Sequence, residues 1–208
     1  MKVGDCLLHY QLVKMLAEGG QGQVWLAYNQ STDEKVAIKL PSESTAISSL
    51  AEEHKVLLKL RKAGGHPNIV GVVDYFPTHH PSFLVLEYRK GLNLAEYVKK
   101  HGIFNAEDFK KPLQCILDAL EFSHLNGVFH RDITPSNILF DGITKEAHLL
   151  DFGLSKVFND NVSRLRLSFS KVEENIVGKS EWISPEVREG KGYTARSDLP
   201  KRYNTISF

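Results

Sequence analysis

Residues 128–140 read VFHRDITPSNILF: an apolar entry, His130-Arg131-Asp132, a polar stretch ending in Asn137, and an apolar exit. Downstream, LLDFGLS places a further aspartate, Asp151, after another apolar run. Two carboxylates and a carboxamide are hard oxygen donors, the kind Mg2+ prefers while it keeps substrate phosphates in its shell. Asn137 and Asp151 are the candidate metal ligands, which leaves Asp132 to accept the proton of an attacking hydroxyl. Asp and Asn are common in turns, so each alone has an ordinary reading; the ordered set does not.

Two upstream stretches point at phosphate as well. In LAEGGQGQVWLA, Gly19, Gly20 and Gly22 lie between two predicted strands, where the lack of a Cβ lets backbone amides approach phosphates. A strand follows, not a helix, so this is not a dinucleotide site; alone it reads equally well as a flexible hairpin. Val36-Ala37-Ile38-Lys39 ends an apolar strand on a lysine. By itself that is an ordinary snorkelling side chain. Aimed at the same cavity as the glycines, it could pair with phosphate oxygens and needs a carboxylate beside it. Glu53 on the next helix is the candidate, with Glu52 as the rival.

Composition narrows the class. The chain has 208 residues, enough for one domain or two small lobes. Its 42% hydrophobic and 25% charged content is that of a soluble globular protein. A net charge of +1 directs the chain to neither nucleic acid nor a membrane, and neither partner is expected. Cys6 and Cys115 are too few for a disulfide framework and suggest a reducing, cytoplasmic compartment. No signal peptide, membrane span or internal repeat is visible.

The pattern changes near residue 90. Before it, strands are predicted at Gln11–Leu16, Val24–Tyr28, Lys35–Leu40, Ile69–Tyr75 and Ser82–Tyr88, with a helix at Ser48–Lys62 stopped by Gly64-Gly65. Lys90–Leu94 reads as a joint. Beyond it a helix starts at the N-cap Asn105, shows one face through Phe109, Leu113, Ile116, Leu117 and Leu120, and ends at Asn126-Gly127. Pro112 should kink this helix or mark its true first turn.

These motifs in this order resemble the eukaryotic-type serine/threonine protein kinase family, from about Leu12 to Asp198: the glycine loop, Val-Ala-Ile-Lys, a helix glutamate, His-Arg-Asp with Asn137, Asp151-Phe152-Gly153, and Ser184-Pro185-Glu186. The resemblance implies an α+β, two-lobed fold. Residues 1–89 would form a five-stranded antiparallel N-lobe sheet with one helix and the hinge. Residues 90–199 would form a partial, mainly helical C-lobe, and residues 200–208 a divergent tail. It implies transfer of the γ-phosphoryl group of ATP, with Mg2+, to Ser or Thr hydroxyls of protein substrates. Lys39 then contacts the phosphates with Glu53 as its partner, and Asp132 is the catalytic base. Ala17, Gly19, Gly20 and Gly22 form the loop over the nucleotide. Val24, Ala37 and Leu139 sandwich adenine, Leu86 is the gatekeeper, and Glu87-Tyr88-Arg89 form the hinge. Leu57, Val72, His130 and Phe152 match an apolar column, and Arg131 the arginine that reads phosphate on the loop carrying Ser163, Ser168 and Ser170.

The departures from the family are specific. Ala17 replaces the first glycine and Gln21 the usual aromatic at the loop tip. Thr134 stands where a lysine near the γ-phosphate is usual, and Lys179 stands where a threonine is. The two have traded places, so that Lys179 supplies the ammonium and Thr134 the hydroxyl; the alternative is two unrelated substitutions. After Leu199 the chain reads PKRYNTISF, where the family has its central helix. On that pattern Glu186 should lack its usual arginine, the Phe109–Leu120 face should lie open to water, and the C-terminal half should be loose. The alternative function is a non-catalytic, kinase-like protein that binds nucleotide or a partner.

Overall fold

The structure, a computed structural model, describes residues 1–42, 47–157, 183–189, 193 and 195–198. These fall into two compact units, Met1–Lys62 with Val70–Arg89, and Ala63–Ile69 with the residues from Lys90 onward.

Among the described residues, unit 1 is a six-stranded antiparallel sheet with one helix. The strands are β1 (Cys6–Leu7), β2 (Tyr10–Gly19), β3 (Gly22–Asn29), β4 (Glu34–Pro41), β5 (Val72–Phe76) and β6 (Phe83–Glu87), in the order β1-β2-β3-β4-β6-β5. All five predicted strands are present; the sixth, β1, pairs only Cys6 with Gln11 and Leu7 with Tyr10. Two residues are too short for a periodicity to register. Alternation along the strands separates two faces. Trp25, Ala27, Val36, Ile38, Leu40, Phe83 and Val85 build one core with Leu7, Tyr10 and Leu12. Against β5 and β6 lies α1 (Ile47–Lys62), which buries Leu50, Val56, Leu57 and Leu60.

Unit 2 mixes helices with short strands that the sequence did not reveal. Its α-helices among the described residues are α2 (Leu94–His101), α3 (Ala106–Leu125) and the single turn α4 (Pro185–Arg188). Strands β7 (Leu92–Asn93), β9 (Ile138–Phe140) and β10 (Ala147–Leu149) form one small sheet, and β8 (Val128–Phe129) pairs with β11 (Lys156–Val157). Residues 63–69 belong here because Asn68 bonds both Ala147 and Leu149, at 2.9 and 2.8 Å.

Two expectations about α3 and its surroundings need correction, and a third is narrowed. Pro112 lies inside the helix and is buried, which removes the first-turn alternative. The buried face is Pro112, Cys115, Ile116, Ala119, Leu120 and Ser123, packed on β8 and β10. Of the predicted face, Ile116 and Leu120 are buried, Phe109 and Leu113 are half-buried and Leu117 is exposed, so most of the face is covered. Glu186 is half-buried and has a partner, accepting from the Ser197 hydroxyl at 3.0 Å. The predicted start and stop of α3 are both present: Asn105 Oδ1 accepts from Asp108 N at 2.8 Å, and Gly127 takes φ 69°. Asn105→Ala should cost about 1 kcal/mol of stability in urea unfolding while Asn105→Asp keeps most of it; equal losses would contradict the capping role.

Candidate active site

In unit 1 the sheet register gathers the predicted nucleotide residues. Lys39 faces Val24 across one strand pair and Leu84 across the other; Ala37 faces Leu26 and Leu86. Directly paired residues share a face, and so do positions two apart. Val24, Ala37, Lys39 and Leu86 therefore share the face opposite the Trp25–Ile38–Phe83 core. Ala17 pairs with Val24 beyond a bulge. Lys39 Nζ lies 2.7 Å from Glu53 Oε2, with the side chains 8% and 1% exposed. Glu52 is ruled out as the partner, since it faces solvent with Lys55 at 3.7 Å. Lys39 Nζ also donates to Gln21 Oε1 at 3.0 Å. Glu87 N donates to Gly71 O at 2.9 Å, and its carboxylate meets Arg89 at 2.8 Å. Tyr88 is half-buried beside them.

In unit 2 the catalytic loop hangs on Asp198, which is 2% exposed. Its Oδ2 accepts from His130 N at 2.9 Å and His124 Nε2 at 2.7 Å. Its Oδ1 accepts from Arg131 N at 2.7 Å and from the Tyr193 hydroxyl. Burial pushes the Asp198 carboxyl up, but the hydrogen bonds and charges of its donors, His124 foremost, bring it below the usual carboxylate range. Burial and the same carboxylate push the Tyr193 phenol well up. Arg131 is drawn down by burial, against the pull of Tyr193 and Asp198, and its Nε donates to Leu154 O at 2.8 Å. Sequence reasoning gave no role to His124 or to Tyr193: no motif contains His124, and Tyr193, five residues before Asp198 in the stretch YTARSDL, carries no signal of a bond to it.

The loop is then built inward. Arg131 and Asp151 hold left-handed backbones, φ 65° and 59°, which non-glycine residues adopt rarely and mostly where surrounding contacts impose it. Asp132 N donates to His130 Nδ1 at 3.3 Å, so the ring proton sits on Nε2 and donates to Leu150 O at 2.9 Å. The His130 ring lies 4.6 Å from that of Phe152. Asn137 Nδ2 donates to Asp132 O and Oδ2, at 2.9 and 2.8 Å. Leu150 N donates to Asn137 O at 2.9 Å, which ties Asp151 to the Asn137 turn. Asp151 Oδ1 accepts from Gly153 N at 3.2 Å. Leu139 lies half-buried on β9, opposite Asn93 and His148. Asp132 Oδ1 and Thr134 Oγ1 are buried with no partner among the described residues. Lys179, Ser163, Ser168 and Ser170 lie outside the described residues.

A depressed carboxyl stabilises the fold above its unfolded value, near pH 4, and loses that contribution as pH falls towards the folded value. Asp198→Asn should therefore destabilise the chain by about 3 kcal/mol near neutrality. The gap from the parent should stay flat above about pH 5 and shrink below about pH 4. Urea unfolding across that range checks it; a gap that is constant or widens in acid contradicts it.

The comparisons with known proteins agree with this geometry. A family profile described as the protein kinase domain matches residues 10–199. A probable serine/threonine-protein kinase PknB of Bifidobacterium longum is 28% identical over 91% of this chain and 28% of its own length. CBL-interacting serine/threonine-protein kinase 24 of Arabidopsis thaliana is 30% identical over 88% of this chain and 40% of its own length. A probable myosin light chain kinase of Dictyostelium discoideum is 32% identical over 92% and 58%. The chain thus spans between about a quarter and three-fifths of the length of these relatives. A profile match over almost the whole chain, with a buried lysine–glutamate pair and an Asn-braced aspartate where the motifs predict them, makes this chain a member of the protein kinase domain family.

Proposed function

We propose that the chain transfers the γ-phosphoryl group of ATP to Ser or Thr hydroxyls of protein substrates. The observation that carries this reading is the state of Asp132. Asn137 fixes its Oδ2, while Oδ1 is buried and lacks a donor among the described residues. A buried acceptor left open in this way is costly unless a ligand fills it, and a hydroxyl is a fitting donor. The Ser/Thr assignment draws on the names of the relatives and on Pro135-Ser136 after the catalytic aspartate.

In this reading Asp132 Oδ1 accepts the proton as the hydroxyl oxygen bonds to the γ-phosphorus. The bond from that phosphorus to the bridging oxygen breaks, ADP leaves, and Asp132 later returns its proton to solvent. Lys39, aligned by Glu53, contacts the phosphates. Ala17, Gly19, Gly20 and Gly22 lie over them, and Val24, Ala37, Leu86, Glu87, Tyr88 and Leu139 contact the nucleotide base. The donor set fits Mg2+: Asp151 offers a carboxylate, and the Asn137 carboxamide, whose nitrogen is spent on Asp132, keeps its Oδ1 free of hydrogen bonds among the described residues. Bound there, the ion would neutralise charge on the phosphates. Thr134 and Lys179 act as an exchanged pair, which the buried Thr134 hydroxyl, without a partner among the described residues, supports. A cytoplasmic location accords with two free cysteines. No helix among the described residues is long and apolar enough to cross a membrane.

Transfer of labelled phosphate to Ser- and Thr-containing peptides tests the reading. Asp132→Asn should lower the rate at least about 100-fold. Parent activity that equals the Asp132→Asn background, or label found on tyrosine alone, would sink it. Lys179→Met should also impair transfer, and adding Thr134→Lys should recover part of the loss. No recovery would mean that the two positions are independent.

A further inference from the structure

The tip of the glycine-rich hairpin is fastened by more than its glycines. Strands β2 and β3 close on the pair Gly19–Gly22, leaving Gly20 and Gln21 as the turn. Gly22 sits at φ 122°, and a Cβ there would lie 1.9 Å from Leu40 O, so only glycine allows this seat against the end of β4. Ser42 Oγ donates to Gly20 O at 3.0 Å and ties the tip to the same strand end. Gln21 then reaches inward, and its Oε1 accepts from Lys39 Nζ at 3.0 Å. The Lys39 ammonium is thereby shared between Glu53, at 2.7 Å, and a carboxamide supplied by the loop itself.

We propose that Gln21 is an intramolecular competitor of nucleotide phosphate for Lys39. It holds the ammonium while the site is empty and releases it when a phosphate oxygen arrives. The inference rests on the reading of Lys39 as the phosphate-binding lysine. A carboxamide oxygen is a neutral acceptor, whereas a phosphate oxygen forms a charge-assisted bond of roughly twice the strength. Phosphate therefore displaces Gln21, and the apparent affinity is the intrinsic one multiplied by the fraction of molecules in which the contact is open. An apolar side chain at position 21 has no acceptor and imposes no such cost. Release of Gln21 also frees one of the ties on the tip, so loop opening is coupled to nucleotide entry.

Calorimetric titration of ADP with Mg2+ tests this without any transfer step. The proteins are the parent, Gln21→Ala, Gln21→Glu, Lys39→Met, and the double variant Gln21→Ala/Lys39→Met. Gln21→Ala should tighten binding, by up to about tenfold. Gln21→Glu should weaken it, because a carboxylate pairs with Lys39 and repels phosphate. Opposite effects from one position do not arise from simple loss of fold. In the Lys39→Met background, Gln21→Ala should change nothing. If Gln21→Ala leaves ADP affinity unchanged or lower while Lys39→Met still weakens it, the competitor is overturned and the phosphate role of Lys39 stands. A gain that persists without Lys39 also overturns it. No binding by any of the five proteins overturns both readings.

Discussion

The second unit depends on one buried carboxylate. Asp198 accepts from two consecutive backbone amides, His130 and Arg131, and from the side chains of His124 and Tyr193. Four donors on one buried carboxylate offset its desolvation, which is why it can stay charged. The two amides fix the peptide between His130 and Arg131, and Arg131 takes its left-handed turn there. That turn leads the chain directly into Asp132, whose amide closes on the His130 ring. The ring in turn holds Leu150, one residue before Asp151. A single carboxylate thus sets the backbone from which both the candidate base and one candidate metal ligand project.

Within residues 130–137, the hydrogen bonds among the described residues leave two buried side-chain oxygens over, Asp132 Oδ1 and Thr134 Oγ1. Folding alone gives no reason to keep them: an unmet buried polar atom costs roughly 1–3 kcal/mol. The neighbouring groups show that the loop can satisfy what it needs to satisfy. Asn137 spends its amide nitrogen twice on Asp132, and His130 uses both ring nitrogens. The first unit treats its charged residue differently. Lys39 is met by Glu53 and by Gln21, one an anion fixed on a helix and the other a neutral group on a turn. The neutral contact is the weaker of the two and the one an incoming anion can replace.

Much of this was legible because it is written in local pattern. The five main strands of unit 1 alternate or run apolar over four or more residues, and α3 carries Asn105 at one end and Asn126-Gly127 at the other. The order of the motifs located Lys39, Asp132, Asn137 and Asp151. What stayed hidden depends on side-chain contacts that no local pattern marks. His124 and Tyr193 both precede Asp198 in the sequence, by 74 and 5 residues. Glu186 finds Ser197, a partner no family pattern suggested. The short strands of unit 2, two or three residues each, have no room for a period. The covered face of α3 was misjudged because its packing partners, β8 and β10, were among those unseen strands. The reach of Gln21 to Lys39 spans 18 residues and was invisible for the same reason.

The dependence of the loop on Asp198 is open to direct measurement by amide hydrogen exchange at single-residue resolution. In the parent, the His130 and Arg131 amides should be strongly protected, since both are bonded to a buried carboxylate. In Asp198→Ala both should exchange roughly 100-fold faster or more, while the amides of Val85 and Leu86 in the sheet of unit 1 keep their parent rates. Unchanged protection at His130 and Arg131 in Asp198→Ala would contradict the account, because the loop would then hold its shape without the carboxylate on which it is said to hang.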